Sequence, residues 1–281
     1  MVRCCSVWNV LDSRKEVPVD NILTAALLGI IEGLTEFLPI SSTGHLILAA
    51  HWLAFTGEKA ETFEIFIQLG AILAVVVLYR QRFKDFIFPQ QHNAFTGIAG
   101  IKRVLAACFP VLLLGFFARD FIKATFFNAS SVAWALIVGG IVMLVVERLP
   151  KRTQIEQLEQ LTLTKCFGIG LFQCFSLWSG ISRSGSTIVG GLLLGVHRRA
   201  AAEFSFLVAV PVMCAATIYE LLKSMHILNA GDVEVFATGF LVSFFSALLA
   251  IRVFVGVLQR FTLAPFGVYR IGLGLLVLYV L

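Results

Sequence analysis

"EGLTEFLPISSTGHL", Glu32 to Leu46, puts two glutamates, two serines and a histidine inside an otherwise greasy segment. The apolar pieces around it, 22–38 and 43–55, are each shorter than the roughly 20 residues a spanning helix needs. The cluster "PISSTG" at 39–44 interrupts them. Short paired helices split by a Pro/Gly/Ser cluster read as a re-entrant hairpin, which enters the bilayer and returns to the same side. Non-helical backbone of that kind is tolerated at membrane depth only inside protein or a watery cavity.

The rest of the chain has the composition such a hairpin requires. It has 281 residues, 58% of them hydrophobic and 14% charged. A soluble domain carries about 25% charge, so this is a polytopic membrane protein by composition. Six apolar runs are long enough to cross: 62–80, 103–121, 131–149, 203–222, 234–258 and 265–281. A second broken pair, 163–178 and 186–196, flanks "SGISRSG". No strand alternation is sustained, so the expected class is all-α and integral to the membrane, with six transmembrane helices and two re-entrant hairpins. Residues 1–20 lack the apolar core and cleavage site of a secretory signal and read as a polar N-terminal extension; 21–281 is one membrane domain. The net charge of +5 raises a nucleic-acid partner, but in a chain this apolar basic residues mark cytoplasmic loops instead. The six cysteines (4, 5, 108, 166, 174, 214) show no CxxC spacing and read as buried or unpaired thiols.

The two hairpins resemble each other. A gapless shift of 141 residues superposes Gly29 on Gly170, Ile40 on Ile181, Ser41 on Ser182, Gly44 on Gly185 and Phe63 on Phe204. Glu32 falls on Gln173, a near-isostere. Nine of the 46 positions from 29 to 74 are identical, where apolar bias alone gives about four. The repeats are then about 22–149 and about 163–281. Three crossings separate the hairpins, an odd number, so the repeats are inverted and their tips can meet near the midplane. Arg80, Arg82, Lys84, Lys102, Arg103, Arg148, Lys151, Arg152, Lys165, Arg198, Arg199 and Arg260 collect on one side, against seven basic residues on the other. The positive-inside rule makes the richer side cytoplasmic, with both termini and the first hairpin on the outside.

Within the hairpins, Glu32 and Glu36 are spaced i, i+4 and share a helix face. A charge near the bilayer centre costs roughly 2.5–3.5 kcal/mol on insertion scales. A stacked acid pair therefore needs a divalent cation, an arginine or a shared proton. Carboxylate pairs bind Mg²⁺ or Ca²⁺ through oxygen, with substrate phosphates completing the shell. "ISRSGST" supplies Arg183 among Ser182, Ser184, Ser186 and Thr187, leading into an apolar helix. A Gly/Ser turn before a helix offers free N–H groups and a positive dipole end to an anion, and arginine adds a fork that fits phosphate. Ser41, Ser42 and Thr43 do the same in the first repeat. For either loop alone, ordinary helix capping is an equal alternative. His45, at i+3 from Ser42, is within reach of that hydroxyl as a general base, or is a hydrogen-bonded structural histidine. Glu64 and Gln68 could supply an outer layer, Glu203 suits a helix-start role, Glu147 lies near an interface, and Arg252 and Arg270 read as snorkelling to the membrane surface.

Taken together, "EGLTEFLPISSTGH" and "SGISRSGST" resemble the two signature motifs of the bacterial undecaprenyl-diphosphate phosphatases of the bacitracin-resistance type. The likeness runs from about residue 22 through "TFEIFIQLGAILAVV" and "AAEFSFLVAVP". It implies a multi-pass protein of the bacterial inner membrane that removes the terminal phosphate of a C55 isoprenyl diphosphate, recycling the carrier for peptidoglycan synthesis, with a divalent cation (Mg²⁺ or Ca²⁺) as cofactor. The motifs fall on Glu32 and Glu36, on Ser41, Ser42 and His45, and on Ser182, Arg183, Ser184 and Thr187. The expected metal ligands are Glu32 and Glu36. Glu36, Ser42, His45 and Arg183 are the catalytic candidates, and Ser41, Thr43, Ser182, Ser184 and Thr187 the substrate-binding ones. The proline that opens the second motif in the family is Ser179 here, which loosens the backbone before Gly180. The expected partners are the isoprenyl diphosphate and membrane lipids, not nucleic acid. A homodimer is compatible with this reading. The competing reading is a polyprenyl-phosphate transporter or flippase without hydrolysis, because inverted repeats with broken helices are also a transporter signature.

Overall fold

A computed structural model describes residues 21–89, 94–149, 153–224, 229–258 and 260–281. The expected extension at 1–20, with Cys4 and Cys5, lies outside the described residues, as do Lys151 and Arg152.

The first half of the chain holds α1 (Ile22–Thr35), α2 (Ser42–Leu53), α3 (Glu58–Leu78), α4 (Arg80–Ile87), α5 (Gly97–Phe117), α6 (Arg119–Phe126) and α7 (Ala129–Arg148). The second holds α8 (Leu163–Gln173), α9 (Arg183–Leu193), α10 (Arg198–Ser224), α11 (Val233–Leu258) and α12 (Ala264–Val280). Among the described residues the only extended pairing is an isolated bridge between Ile155 and Val196, so the all-α class holds. Five helices, α3, α5, α7, α10 and α11, are long and apolar enough to cross a membrane. The sixth expected span, α12, has 17 residues, about 25 Å of helix against a hydrocarbon core of about 30 Å. Large apolar side chains such as Phe116, Phe117, Phe245, Leu249 and Tyr279 face outward. Hydrocarbon accepts them where water would not. The chain is a multi-pass membrane protein.

Three of the short helices are shorter than the apolar runs that announced them, and α9 keeps the length of its run but begins three residues earlier, at Arg183. α1 ends at Thr35 and α2 starts at Ser42, with a non-helical turn between. α8 passes through a 3₁₀ turn at Cys174–Leu177 before α9 begins at Arg183. The leading helix of each pair, α1 or α8, packs on a long helix from the other half of the chain. Gly29 and Gly33 set α1 against α11: a Cβ on Gly33 would lie 2.4 Å from the Ser243 carbonyl oxygen. Gly170 sets α8 against α5, where a Cβ would lie 2.5 Å from the Ala107 oxygen. Small residues give backbone-to-backbone approach, the packing force that remains when lipid removes the hydrophobic difference. α7 and α12 cross in the same way at Gly140 and Gly267.

Polar networks close both ends of the bundle. Near the start of α5, Arg103 donates to the carbonyls of Leu161 and Ala94, and Arg82 bridges Glu159 at 2.7 Å and Glu203 at 3.0 Å. Glu203 is thus a salt-bridge partner rather than only a helix-start residue. Glu147 accepts from the Leu263 amide at 2.8 Å. Past the far end of α5, Arg119 and Lys123 pair with Glu220. The four described cysteines are free thiols, as their spacing suggested.

Candidate active site

The site is built where the two broken segments touch. Both end in a serine with left-handed backbone, Ser41 at φ 70° and Ser182 at φ 63°. Non-glycine residues rarely adopt that geometry and hold it only where surrounding structure enforces it. In each case the next residue, Ser42 or Arg183, opens a helix. The loops are joined directly: the Ser184 hydroxyl donates to the Leu38 carbonyl at 3.0 Å.

Glu36 sits between them. It continues the helical backbone past α1, its amide bonding to the Glu32 carbonyl at 2.9 Å. One carboxylate oxygen accepts from the Ser42 hydroxyl at 2.6 Å. The other faces Arg183 Nη2 at 3.5 Å, and both side chains are about nine-tenths buried. Arg183 also donates to the Ser205 carbonyl at 3.0 Å and lies 5.8 Å over the Phe37 ring. A short hydroxyl–carboxylate bond next to a guanidinium could serve as a nucleophile, a proton acceptor and an anion clamp in one small volume.

Glu32, one turn behind Glu36, is fully buried, and neither of its carboxylate oxygens has a hydrogen-bond partner. Glu64 on α3 also has one buried unpartnered oxygen. Glu32 and Glu36 are the residues that could hold a cation. Among the described residues no cluster of three or more histidines, cysteines or acids is placed to bind a metal ion. A cation bound here would therefore draw further oxygens from substrate or water.

Two expectations are corrected. The i, i+3 spacing suggests a Ser42–His45 bond, but Ser42 turns back to Glu36. His45 Nδ1 contacts the Ser41 carbonyl at 2.7 Å and Nε2 contacts the Tyr269 hydroxyl at 2.7 Å. A carbonyl only accepts, so Nδ1 carries the proton. The imidazole also stacks on the Tyr269 ring. The physical reason is the positive φ at Ser41, which redirects the first turn of α2. The second correction is Arg270, which does not snorkel: it is fully buried and bonded to carbonyl oxygens. Arg252, by contrast, is exposed.

The remaining candidates shape the second loop. Ser182 Oγ caps α9 by accepting from the Gly185 amide at 3.2 Å and lies 3.0 Å from Ser184 Oγ. Thr187 is buried and spends its hydroxyl on the Arg183 and Ser184 carbonyls and on Ser205 Oγ. Ser184 and Thr187 thus hold the loop that carries Arg183. Ser41 is buried and Thr43 half-buried at the start of α2. Sequence reading missed Ser205, Phe37 and Tyr269, which lie in apolar runs with nothing local to mark them. Arg270 was visible as a charge inside a span.

Residues 25–276 match the model of the family described as bacitracin resistance protein BacA. The chain belongs to this family. Curated relatives include an undecaprenyl-diphosphatase of Maridesulfovibrio salexigens, 51% identical over 92% of this chain and 98% of the relative. Another from Solidesulfovibrio magneticus is 51% identical over 92% and 97%, and one from Oleidesulfovibrio alaskensis is 48% identical over 92% and 98%. The BacA match takes in both loops, so Glu32, Glu36, Ser42 and Arg183 all lie inside it.

Proposed function

We propose that this chain is an undecaprenyl-diphosphate phosphatase, which releases the terminal phosphate of the C55 isoprenyl diphosphate and returns the lipid carrier to peptidoglycan synthesis. The observation that carries this is the Ser42–Glu36–Arg183 contact across two broken helices inside an apolar bundle. That contact supports phosphate chemistry at a point where a lipid tail could remain in hydrocarbon. The relatives' names agree with it. A transporter would use the broken helices, but it has no use for a hydroxyl bonded to a carboxylate beside an arginine.

In the proposed mechanism Arg183 and the N–H groups at the start of α2 and α9 hold the diphosphate. The Ser42 hydroxyl attacks the terminal phosphorus in line, and its proton passes to Glu36. The bond from phosphorus to the bridging oxygen breaks, and the lipid monophosphate leaves with the electron pair. Water then cleaves the phosphoserine, releasing phosphate and restoring the hydroxyl. Phosphoryl transfer needs mainly positioning and charge neutralisation, which this side-chain set supplies. His45, held by Ser41 and Tyr269, orients the first turn of α2. The open oxygens of buried Glu32, next to Glu36, fit a hard divalent cation. Bound there, Mg²⁺ or Ca²⁺ would neutralise the acid pair and the phosphate oxygens.

The reading extends to orientation: the Arg82–Arg103 end faces the cytoplasm, both termini lie outside, and the site opens to the periplasmic side of a bacterial inner membrane. Cysteine labelling from each side of the membrane tests this, and labelling of the 80–103 region from outside reverses it. For activity, purified protein in detergent is given undecaprenyl diphosphate with and without EDTA. Phosphate release that EDTA stops and Mg²⁺ or Ca²⁺ restores is expected. Folded protein that releases none overturns the phosphatase reading, and a full rate in EDTA removes the cation.

A further inference from the structure

We propose that Arg270 is a positioning residue that sets the register between the two re-entrant loops, and with it the distance from Arg183 to Ser42 and Glu36. The guanidinium comes from the middle of α12, is fully buried, and forms no ion pair with a described carboxylate. Its partners are carbonyl oxygens from three elements. Nη1 donates to Ile181 at 3.0 Å and reaches Pro39 at 3.5 Å. Nη2 donates to Gly180 at 3.0 Å and Ala135 at 3.2 Å. Nε reaches Leu136 at 3.4 Å.

The need follows from the fold. Pro39, Gly180 and Ile181 lie in non-helical backbone just before α2 and α9, where no intrahelical amide takes their oxygens. At membrane depth such groups must find protein donors. A guanidinium has five N–H groups in a rigid plane and can serve several carbonyls at once, which an ammonium cannot. The surroundings are cut to admit it. A Cβ on Gly139 would stand 2.2 Å from Nη2 and 2.7 Å from Cζ, and one on Gly185 3.2 Å from Nη1. The same guanidinium touches the first loop, the second loop and α7, so neither loop can shift along the bundle without breaking its bonds. It touches none of Glu36, Ser42 or Arg183 and acts through the backbone alone.

The catalytic half of this inference rests on the phosphatase reading; the structural half does not. The variants are Arg270→Lys and the milder Gly139→Ala, which keeps the arginine and crowds its slot. Hydrogen exchange read by mass spectrometry in detergent needs no activity. Peptides covering 36–42 and 178–184 should exchange at least about tenfold faster together, while those from α5 and α8 stay as in the parent. Turnover should fall by tens-fold in kcat with KM for the polyprenyl diphosphate within about threefold, because Arg183 still holds phosphate. Unchanged exchange in both loops overturns the positioning role whether or not the parent is active. Loosened loops with kcat within threefold of an active parent overturn its link to catalysis. An inactive, folded parent fails the phosphatase reading alone and leaves exchange to decide this one. If Arg270→Lys does not fold, Gly139→Ala decides both points.

Discussion

The two broken segments share a backbone and differ in charge. Position for position, Ser41 answers to Ser182, and both take a left-handed φ before a helix. The next residue is Ser42 in one and Arg183 in the other, each the first residue of its helix. Both reach the same carboxylate, Glu36, one at each oxygen. In the preceding short helices, buried Glu32 of α1 corresponds to buried Gln173, the last residue of α8. Glu32 has both oxygens open, whereas Gln173 gives its amide to the Ala107 carbonyl at 3.2 Å. The shared part is architecture: two turns that expose amides at helix starts. The unshared part is chemistry: one segment carries the acids and the hydroxyl, the other carries the arginine. A symmetric pair with arginines in both would bind phosphate without a nucleophile, and one with acids in both would repel it.

The largest effect that breaks this comparison is expected at its paired positions. Ser42→Ala should abolish turnover while substrate still binds, since Arg183 remains; a rapid-quench assay with labelled substrate should show no phosphoenzyme. A hydrolytic rate reduced by only about 1–3 kcal/mol of transition-state stabilisation would assign the attack to water. Arg183→Lys keeps the charge but loses the fork shared between Glu36 and Ser205. It should lower kcat/KM by roughly 10²–10³, the scale for losing one preorganised donor to a developing anion. Near-normal turnover would leave Arg183 only a loop-structuring role.

A smaller effect is expected from making the first segment resemble the second. Glu32→Gln should raise the divalent-cation concentration for half-maximal rate by at least about tenfold, with little change in thermal stability because the side chain has no partner to lose. The reverse change, Gln173→Glu, should leave the cation response alone. It should lower stability by about 1–3 kcal/mol in a detergent melt, since it removes the amide donor that Ala107 uses. Equal cation responses in the two variants would show that the acid pair does not distinguish the segments.

The smallest effect concerns the serines with positive φ. Ser41→Gly removes backbone strain of about 1 kcal/mol and no side-chain cap, so its melting temperature should hold or rise. Ser182→Gly gains the same relief but loses the cap on Gly185, worth a few tenths of a kcal/mol against glycine. It should therefore be the less stable of the two.

Much of this protein is determined by sequence alone, because the membrane turns composition into geometry. About 20 apolar residues must be a helix when no water can serve the backbone. "PISSTG" and "SGISRSG" mark breaks because they gather serine and glycine, with proline in the first, between apolar pieces each too short to span. An i, i+4 acid pair lies on one helix face wherever that face points. Those rules were enough to mark Glu32, Glu36, Ser42 and Arg183. Tertiary structure decided which of them meet. Local spacing offered Ser42 to His45, but the left-handed turn at Ser41 sends its hydroxyl to Glu36 and leaves His45 to Tyr269, 224 residues away. An arginine inside a span can stretch to the surface or turn inward. Which it does depends on unsatisfied carbonyls waiting inside, and Arg270 finds them on three elements that no local pattern links.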